Sequence, residues 1–243
     1  MILEFPGTRG EIEESTKKHR YHSSLIVKYK DTEILIDYGE KHSKDLEEKI
    51  NSFDAIFITH AHPDHYIWTL KEEKSVNIPV YLTKVAYDYS NNKPVNYKIL
   101  KSYKTLGFKD LNITPFEVIH SIRCPAVGYR VEGDKNIFYA PDLIDTQKDK
   151  KETLNGIDCL VGDGSSLYTN MVRKRNGKLY GHTRVKTEIN WCKKYGIKKF
   201  IVTHCGKQIV TMEKEKLDEK IREYSAGDSV NVKVAYDGYD LKL

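Results

Sequence analysis

Residues 55–65 read Ala-Ile-Phe-Ile-Thr-His-Ala-His-Pro-Asp-His. The apolar run Ala55 to Ile58 suits a buried strand. Behind it, His60, His62, Asp64 and His65 put three imidazoles and a carboxylate within six residues. Pro63 lacks an amide hydrogen and restricts the residue before it, so the strand stops there and a turn follows. Side chains that would alternate between sheet faces are thereby collected in one loop. Core packing asks for no such grouping. Nitrogen and oxygen donors at the carboxyl end of a strand suit zinc or a similar first-row metal.

The rest of the chain sets the frame around that loop. At 243 residues, it can bury roughly 70–75% of its unfolded surface, and residues 1–243 are expected to form one domain. Hydrophobic residues are 39% and charged residues 31% of the total, a balance that excludes a disordered chain. No apolar run approaches membrane-spanning length. Residues 1–6 show no basic stretch followed by an apolar one, so no signal peptide is expected. Cys124, Cys159, Cys192 and Cys205 are widely spaced, which argues against a zinc ribbon or a redox pair. With no signal peptide, reduced thiols and a cytoplasmic location are expected. The net charge of +5 is a mild pointer to an anionic substrate.

Taken in order, residues 2–10 read as a short strand and a tight Gly-Thr-Arg-Gly turn, with Gly7 and Gly10 supplying backbone angles closed to other residues. Residues 24–29 and 33–37 read as a hairpin. Asp37 ends it, where an aspartate is often a turn cap. Residues 42–51 suit a helix with Leu46 and Ile50 on one face, and residues 66–74 are expected to continue as helix after His65. Residues 78–82 suit a strand, and 84–90 a helix. Residues 111–119 are β-rich, although Pro115 predicts an edge or a broken strand; His120 follows. Residues 135–140 and 158–162 are further strands, ending near Asp142 and Asp163. Residues 147–154 suit a short charged helix. Residues 168–181 read as a polar loop carrying Arg173, Lys174, Arg175 and Lys178. A helix over 185–195, stopped by Gly196, leads to a strand at 199–203 that ends in His204. A helix over 212–224 and a last hairpin over 231–243, turning at Asp237-Gly238, close the chain.

The His-x-His-x-Asp-His cluster, with the later strand-end residues in their order, resembles the metallo-β-lactamase fold superfamily. The Gly-Thr-Arg-Gly opening and Gly181-His182-Thr183 are similar to its phosphodiesterase branch, which holds the transfer-RNA 3′-end endonucleases and related enzymes. The resemblance implies an α/β fold, a four-layer αββα sandwich of two mixed β-sheets. It implies two divalent metal ions, with Zn²⁺ first and Mn²⁺ or Fe as alternatives. His60, His62 and His120 would hold the first; Asp64, His65 and His204 the second; Asp142 would bridge them. Asp37 would orient the metal loop from behind.

The same resemblance implies a phosphodiesterase acting on nucleotides, cyclic nucleotides or RNA, by attack of a hydroxide shared between the ions. Asp64 and His182 are its expected catalytic residues. His182 would contact the phosphate or protonate the departing oxygen; otherwise it only caps the helix after it. Arg173, Lys174, Arg175, Lys178 and Thr183 are candidate substrate contacts. No Gly/Pro-rich arm for gripping transfer RNA is present. Members of the branch are often dimers, so a homodimer is an expectation of the resemblance; a membrane partner is not. The alternatives are a thioester or lactone hydrolase of the glyoxalase II type, which shares the ligands but needs no His182, and a non-catalytic nucleic-acid or metabolite binding protein on the same scaffold.

Overall fold

The computed structural model describes residues 1–71, 74–225 and 230–243. Its first half runs β1 (Ile2–Gly7), β2 (Ser24–Tyr29), β3 (Thr32–Ile36), α1 (Lys44–Lys49), β4 (Ala55–Phe57), β5 (Val80–Thr83), α2 (Lys84–Tyr89) and β6 (Tyr97–Leu100). Its second runs β7 (Leu106–Phe108), β8 (Leu111–Ile119), β9 (Ala126–Glu132), β10 (Asn136–Tyr139), β11 (Asp145–Thr146), α3 (Lys150–Leu154) and β12 (Cys159–Asp163). After these come β13 (Arg173–Arg175), β14 (Lys178–Tyr180), α4 (Val185–Tyr195), β15 (Lys199–Thr203), α5 (Lys207–Val210), α6 (Lys214–Ser225), β16 (Asn231–Val234) and β17 (Tyr239–Lys242).

Two mixed sheets result. One has the order β17-β1-β2-β3-β4-β5-β6, the other β11-β8-β9-β10-β12-β15-β16, with β7 also on β8. From β3 to β6 and from β10 to β16 neighbouring strands run parallel. Parallel strands are usually covered on both faces, and the side-chain alternation shows it. Ile34 and Ile36 of β3, Phe57 of β4, Val161 of β12 and Ile201 of β15 meet between the sheets. Leu35 and Ile56 turn outward under Leu46 of α1 and Ala86 of α2. Leu160, Phe200 and Val202 turn the other way, under Ile189 and Cys192 of α4 and Ile221 of α6. Helix, sheet, sheet, helix is the four-layer order expected. Each such side chain contributes about 1.5–3 kcal/mol by burial.

Several local expectations are corrected. After His65 the described residues up to 71 hold one 3₁₀ turn, Ile67–Thr69, where a helix was expected; Glu72 and Glu73, part of the expected helix, lie outside the described residues. Pro115 does not break β8, which runs unbroken for nine residues. Its proline side faces a gap between β7 and β11, where the Tyr103 amide donates to its carbonyl at 2.7 Å. The polar stretch 168–181 contains the β13–β14 hairpin, turning at Asn176 and Gly177 with φ of 49° and 77°. The final pair is no hairpin: β16 joins the second sheet beside β15, and β17 crosses to pair with β1 in the first. Gly7 and Gly10 are required by space rather than by angle. A Cβ on Gly7 would sit 2.0 Å from the His22 carbonyl oxygen, and one on Gly10 2.9 Å from the His204 ring. Among the described residues, no helix is long and apolar enough to cross a membrane.

Candidate metal centre

Every donor singled out in the sequence sits just past the carboxyl end of a strand. The loop 60–65 follows β4, His120 follows β8, Asp142 follows β10 and His204 follows β15. Because the parallel strands of both sheets end on the same side, these loops converge. His60, His62, His120 and Asp142 form one compact group, and Asp64, His65, Asp142 and His204 a second. Asp142 belongs to both.

In the first group His60 Nε2 lies 2.9 Å from His62 Nδ1 and 3.4 Å from Asp142 Oδ2, and His120 Nε2 is 3.3 Å from His62 Nδ1. In the second, Asp64 Oδ2 lies 3.2 Å from His65 Nε2 and 3.0 Å from His204 Nε2, while Asp142 Oδ2 is 2.9 Å from His65 Nε2. Ligands at the corners of a tetrahedron with bonds of about 2.0–2.1 Å stand roughly 3.4 Å apart. The donor spacing therefore matches that needed around an ion.

The surrounding hydrogen bonds fix which ring nitrogen is bare. The Thr59 hydroxyl donates to Asp37 at 2.9 Å, so its lone pair takes the proton of His60 Nδ1 at 3.0 Å. His65 Nδ1 donates to Asp37 Oδ2 at 2.8 Å. His120 Nδ1 donates to the Gly181 carbonyl at 3.1 Å. In all three rings the protonated nitrogen points outward and Nε2 is left as a lone-pair donor. Two buried atoms of the cluster, His65 Nε2 and Asp142 Oδ1, lack any hydrogen bond although charged neighbours are close. Orphaned buried polar atoms are costly, and a shared cation would satisfy both. The residues fit a pair of divalent ions.

The ionisation states of His60 and Asp142 agree. At His65 and His204 burial is outweighed by the carboxylates around them, Asp64, Asp37 and Asp142 for His65 and Asp142 for His204, which raise both rings, so that an ion binding there displaces a proton. Burial and the neighbouring His65, His62 and His120 rings hold His60 well below its usual range, hence neutral. Burial alone would raise Asp142, but His204, His120 and His65 outweigh it and keep the carboxyl ionised. Neutral imidazole and ionised carboxylate are the forms that bind a metal.

Two positions of the site are held in backbone strain. Asp37 and His204 have φ of 66° and 51°, the left-handed region, costing about 1–3 kcal/mol for a non-glycine residue. The chain beside Asp37 also templates the metal loop. The Tyr38 amide donates to the His65 carbonyl at 2.9 Å, and the Glu40 amide to that of Pro63 at 2.9 Å. Gly39 fits there because a Cβ would fall 2.0 Å from the Asp64 carbonyl oxygen. From the other side, Cys124 Sγ accepts the Ala61 amide at 3.0 Å.

A cavity of about 700 Å³ opens over these groups, lined among others by His62, Asp64, His120, Asp142, His182, His204 and Arg173. His60 and His65 lie beneath it, with no side-chain exposure. His182 Nδ1 donates to Asp163 Oδ2 at 2.8 Å and is 3.3 Å from Asp142 Oδ1. Burial opposes a charge on His182, but the Asp163 and Asp142 carboxylates prevail and raise it well above the usual histidine range. Asp163 was not singled out by motif. It ends β12 much as Asp142 follows β10, and its carboxylate also accepts the Leu143 and Ser165 amides. Ser165 Oγ in turn lies 2.8 Å from His204 Nδ1.

Not every expected contact reaches the cavity. Thr183 is buried, its amide donating to the Leu143 carbonyl at 2.8 Å. On β13, side chains alternate, so Lys174 faces away from Arg173 and Arg175. Arg175 and Lys178 line a neighbouring cavity instead.

Comparison with known proteins gives three findings. A family described as the beta-lactamase superfamily domain matches residues 34–205. Ribonuclease Z of Methanopyrus kandleri is 28% identical over 148 residues, covering 56% of this chain and 51% of that protein. The chain thus spans about half the length of that curated relative. Among solved structures, zinc-bound PqqB from Methylobacterium extorquens superposes with a TM-score of 0.71 at 17% identity, covering 100% of each chain. The short form of human tRNase Z gives 0.69 at 17% identity, covering 100% of this chain and 99% of the other.

Proposed function

The chain belongs to the beta-lactamase superfamily domain family, and from that premise we propose a metal-dependent hydrolase that cleaves phosphodiesters. The observation that carries this reading is the pair of donor groups joined at Asp142, with His182 at the rim of the same cavity. The similarity to ribonuclease Z and to tRNase Z supports the same substrate class.

His60, His62 and His120 would hold one ion; Asp64, His65 and His204 the other; Asp142 both. A divalent pair held so supplies Lewis acidity toward phosphoryl oxygens and a water of lowered pKa. Asp37 keeps His65 in one tautomer, and Thr59 does so for His60. Asp163 holds His182 by Nδ1, which leaves Nε2 to face the cavity. Favoured in its protonated form by the Asp163 and Asp142 carboxylates beside it, His182 is placed to give its proton to the departing oxygen as the P–O bond breaks. Water supplies the new oxygen on phosphorus, and the proton it releases restores the histidine. A carbonyl ester or thioester needs no such donor in this position.

The test is hydrolysis of bis(p-nitrophenyl) phosphate by protein loaded with Zn²⁺ or Mn²⁺, beside S-lactoylglutathione. Turnover of the diester and none of the thioester is expected. Bound metal with no diester turnover would overturn the reading.

A further inference from the structure

Beside the metal cavity lies a second one, of about 550 Å³, whose lining includes Arg123, Arg175, Lys178 and Tyr180 and no carboxylate. The two are lined by neighbouring residues of the same segments. Arg173 of β13 lines the metal cavity and Arg175, two residues on, the second; His120 lines the first and Ser121 the second. Residues two apart on a strand face the same way, about 7 Å apart. Cross-strand partners share a face too, and here Arg173 pairs with Tyr180 and Arg175 with Lys178. One face of the hairpin therefore carries three cations and an aromatic ring.

That arrangement has a physical cost. Like charges directly opposite each other destabilise a strand pair, and Arg175 stands opposite Lys178. Elsewhere on this surface lysines find carboxylates, as Lys28, Lys74 and Lys207 do. Among the described residues, the side chains of Arg123, Arg173, Arg175 and Lys178 have no ion-pair or hydrogen-bond partner. The hairpin is also held to the metal site. The Gly181 amide donates to the His120 carbonyl at 2.8 Å, and the Gly181 carbonyl accepts from the His120 ring. Gly181 has φ of 116°, and a Cβ there would fall 2.1 Å from the Met171 carbonyl oxygen. The cationic face thus keeps a set distance from the metal donors.

Resting on the phosphodiesterase reading, we infer that this second cavity is a phosphate subsite for the nucleotide adjoining the scissile bond, so that the substrate is a single-stranded polynucleotide rather than a cyclic or mononucleotide ester. Arg173 meets the backbone over the metal site, and Arg123, Arg175 and Lys178 take the next phosphate. Tyr180 offers a face on which a base stacks. Successive phosphates of one strand match successive cations along one strand of the hairpin. Binding of this kind releases counterions and weakens with salt.

Two measurements test it. First, a fluorescein-labelled octauridylate is titrated with full-length protein in chelator, where no cleavage occurs, and anisotropy is read across a salt series. Wild type is expected to bind with a steep salt dependence. Arg123→Gln and Arg175→Gln, on separate elements so that one folding defect cannot explain both, each weaken binding several-fold and flatten the salt slope by about one unit. Lys216→Gln on α6 alters net charge equally and serves as the charge control. Second, metal-loaded proteins are compared on octauridylate and bis(p-nitrophenyl) phosphate. The variants are expected to lose at least tenfold more kcat/KM on the oligonucleotide. Equal losses on both substrates, absence of octauridylate binding by wild type, or an effect of Lys216→Gln as large as that of the arginines would overturn the subsite. None of these results touches the phosphodiesterase reading, which fails only if the small diester is not turned over.

Discussion

His182 and Asp142 are 3.3 Å apart yet should fail differently when changed. Asp142 stands in both donor groups, so Asp142→Ala loses bound metal and activity together, as metal analysis would show. His182 meets Asp163 as well as Asp142, and removing its ring leaves the donors in place. We expect His182→Ala to keep its metal while kcat falls about 10²–10⁴-fold, the range of a general acid; equal metal loss in both variants would assign His182 to the metal. Glu188 gives a prediction about pH. Its side chain is buried, Oε1 accepts the Asp163 amide at 3.1 Å, and Oε2 has no partner. Burial, with Asp163 nearby, raises it well above the usual carboxyl range. The folded chain thus keeps a proton that the unfolded chain gives up above about pH 4.5, and the stability this lends falls as pH rises from there toward the folded value. Glu188→Gln should remove the dependence, its Tm gaining on wild type steadily from about pH 5.5 to 8.5; a constant difference would mean the carboxyl is ionised. Of the seven side chains that the structure brings together, the cluster at 60–65 was legible from its residues, three histidines and an aspartate behind an apolar strand, while His120, Asp142 and His204 were expected through the family resemblance. Asp163 and Glu188 were not. Their roles come from tertiary neighbours, and an acid at a strand end or on a helix face looks ordinary.

The segment 37–40 and the loop 60–65 act as one element, stitched by backbone hydrogen bonds that only a glycine at position 39 allows. Gly39→Ala must push the Asp64 carbonyl away. We predict destabilisation of about 1–3 kcal/mol, the usual cost of overpacking, together with weaker metal uptake, read by urea denaturation and metal titration. Stability lost with unchanged metal affinity would show that the loop holds its shape without this support. At this scale the sequence was readable where periodicity and caps agree. The helix over 185–195 ends at Gly196 with φ of 70°. The β13–β14 hairpin was hidden by its charge, although Asn176-Gly177 carries the local turn signal. The expected helix after His65 failed because Tyr66, Ile67 and Trp68 are drawn into the core beside Tyr38, where tertiary packing overrides helical pattern.

Across the whole molecule the donor set straddles the two sheets: His60, His62, Asp64 and His65 come from the first, His120, Asp142 and His204 from the second. Metal bound there ties one sheet to the other as well as serving chemistry. A ligand at a hundred times its Kd adds about 2.7 kcal/mol, which for a chain of this size corresponds to roughly 5–10 °C in Tm. Chelation should lower the melting temperature by that order in calorimetry; an unchanged Tm would mean that the sheets do not feel the site. The αββα order was an expectation of the family resemblance, and a strand apolar on every residue, such as β4 with its cover on both faces, agrees with it. The partition of strands between sheets was not legible, because β16 and β17 read locally as a hairpin and only the global pairing separates them. That pairing matters during synthesis. Ile2 stands opposite Lys242, and the Leu243 amide donates to the Met1 carbonyl at 3.1 Å. The opening strand therefore leaves the ribosome long before its outer neighbour exists, and its bare edge is open to the wrong partner until the closing residues emerge.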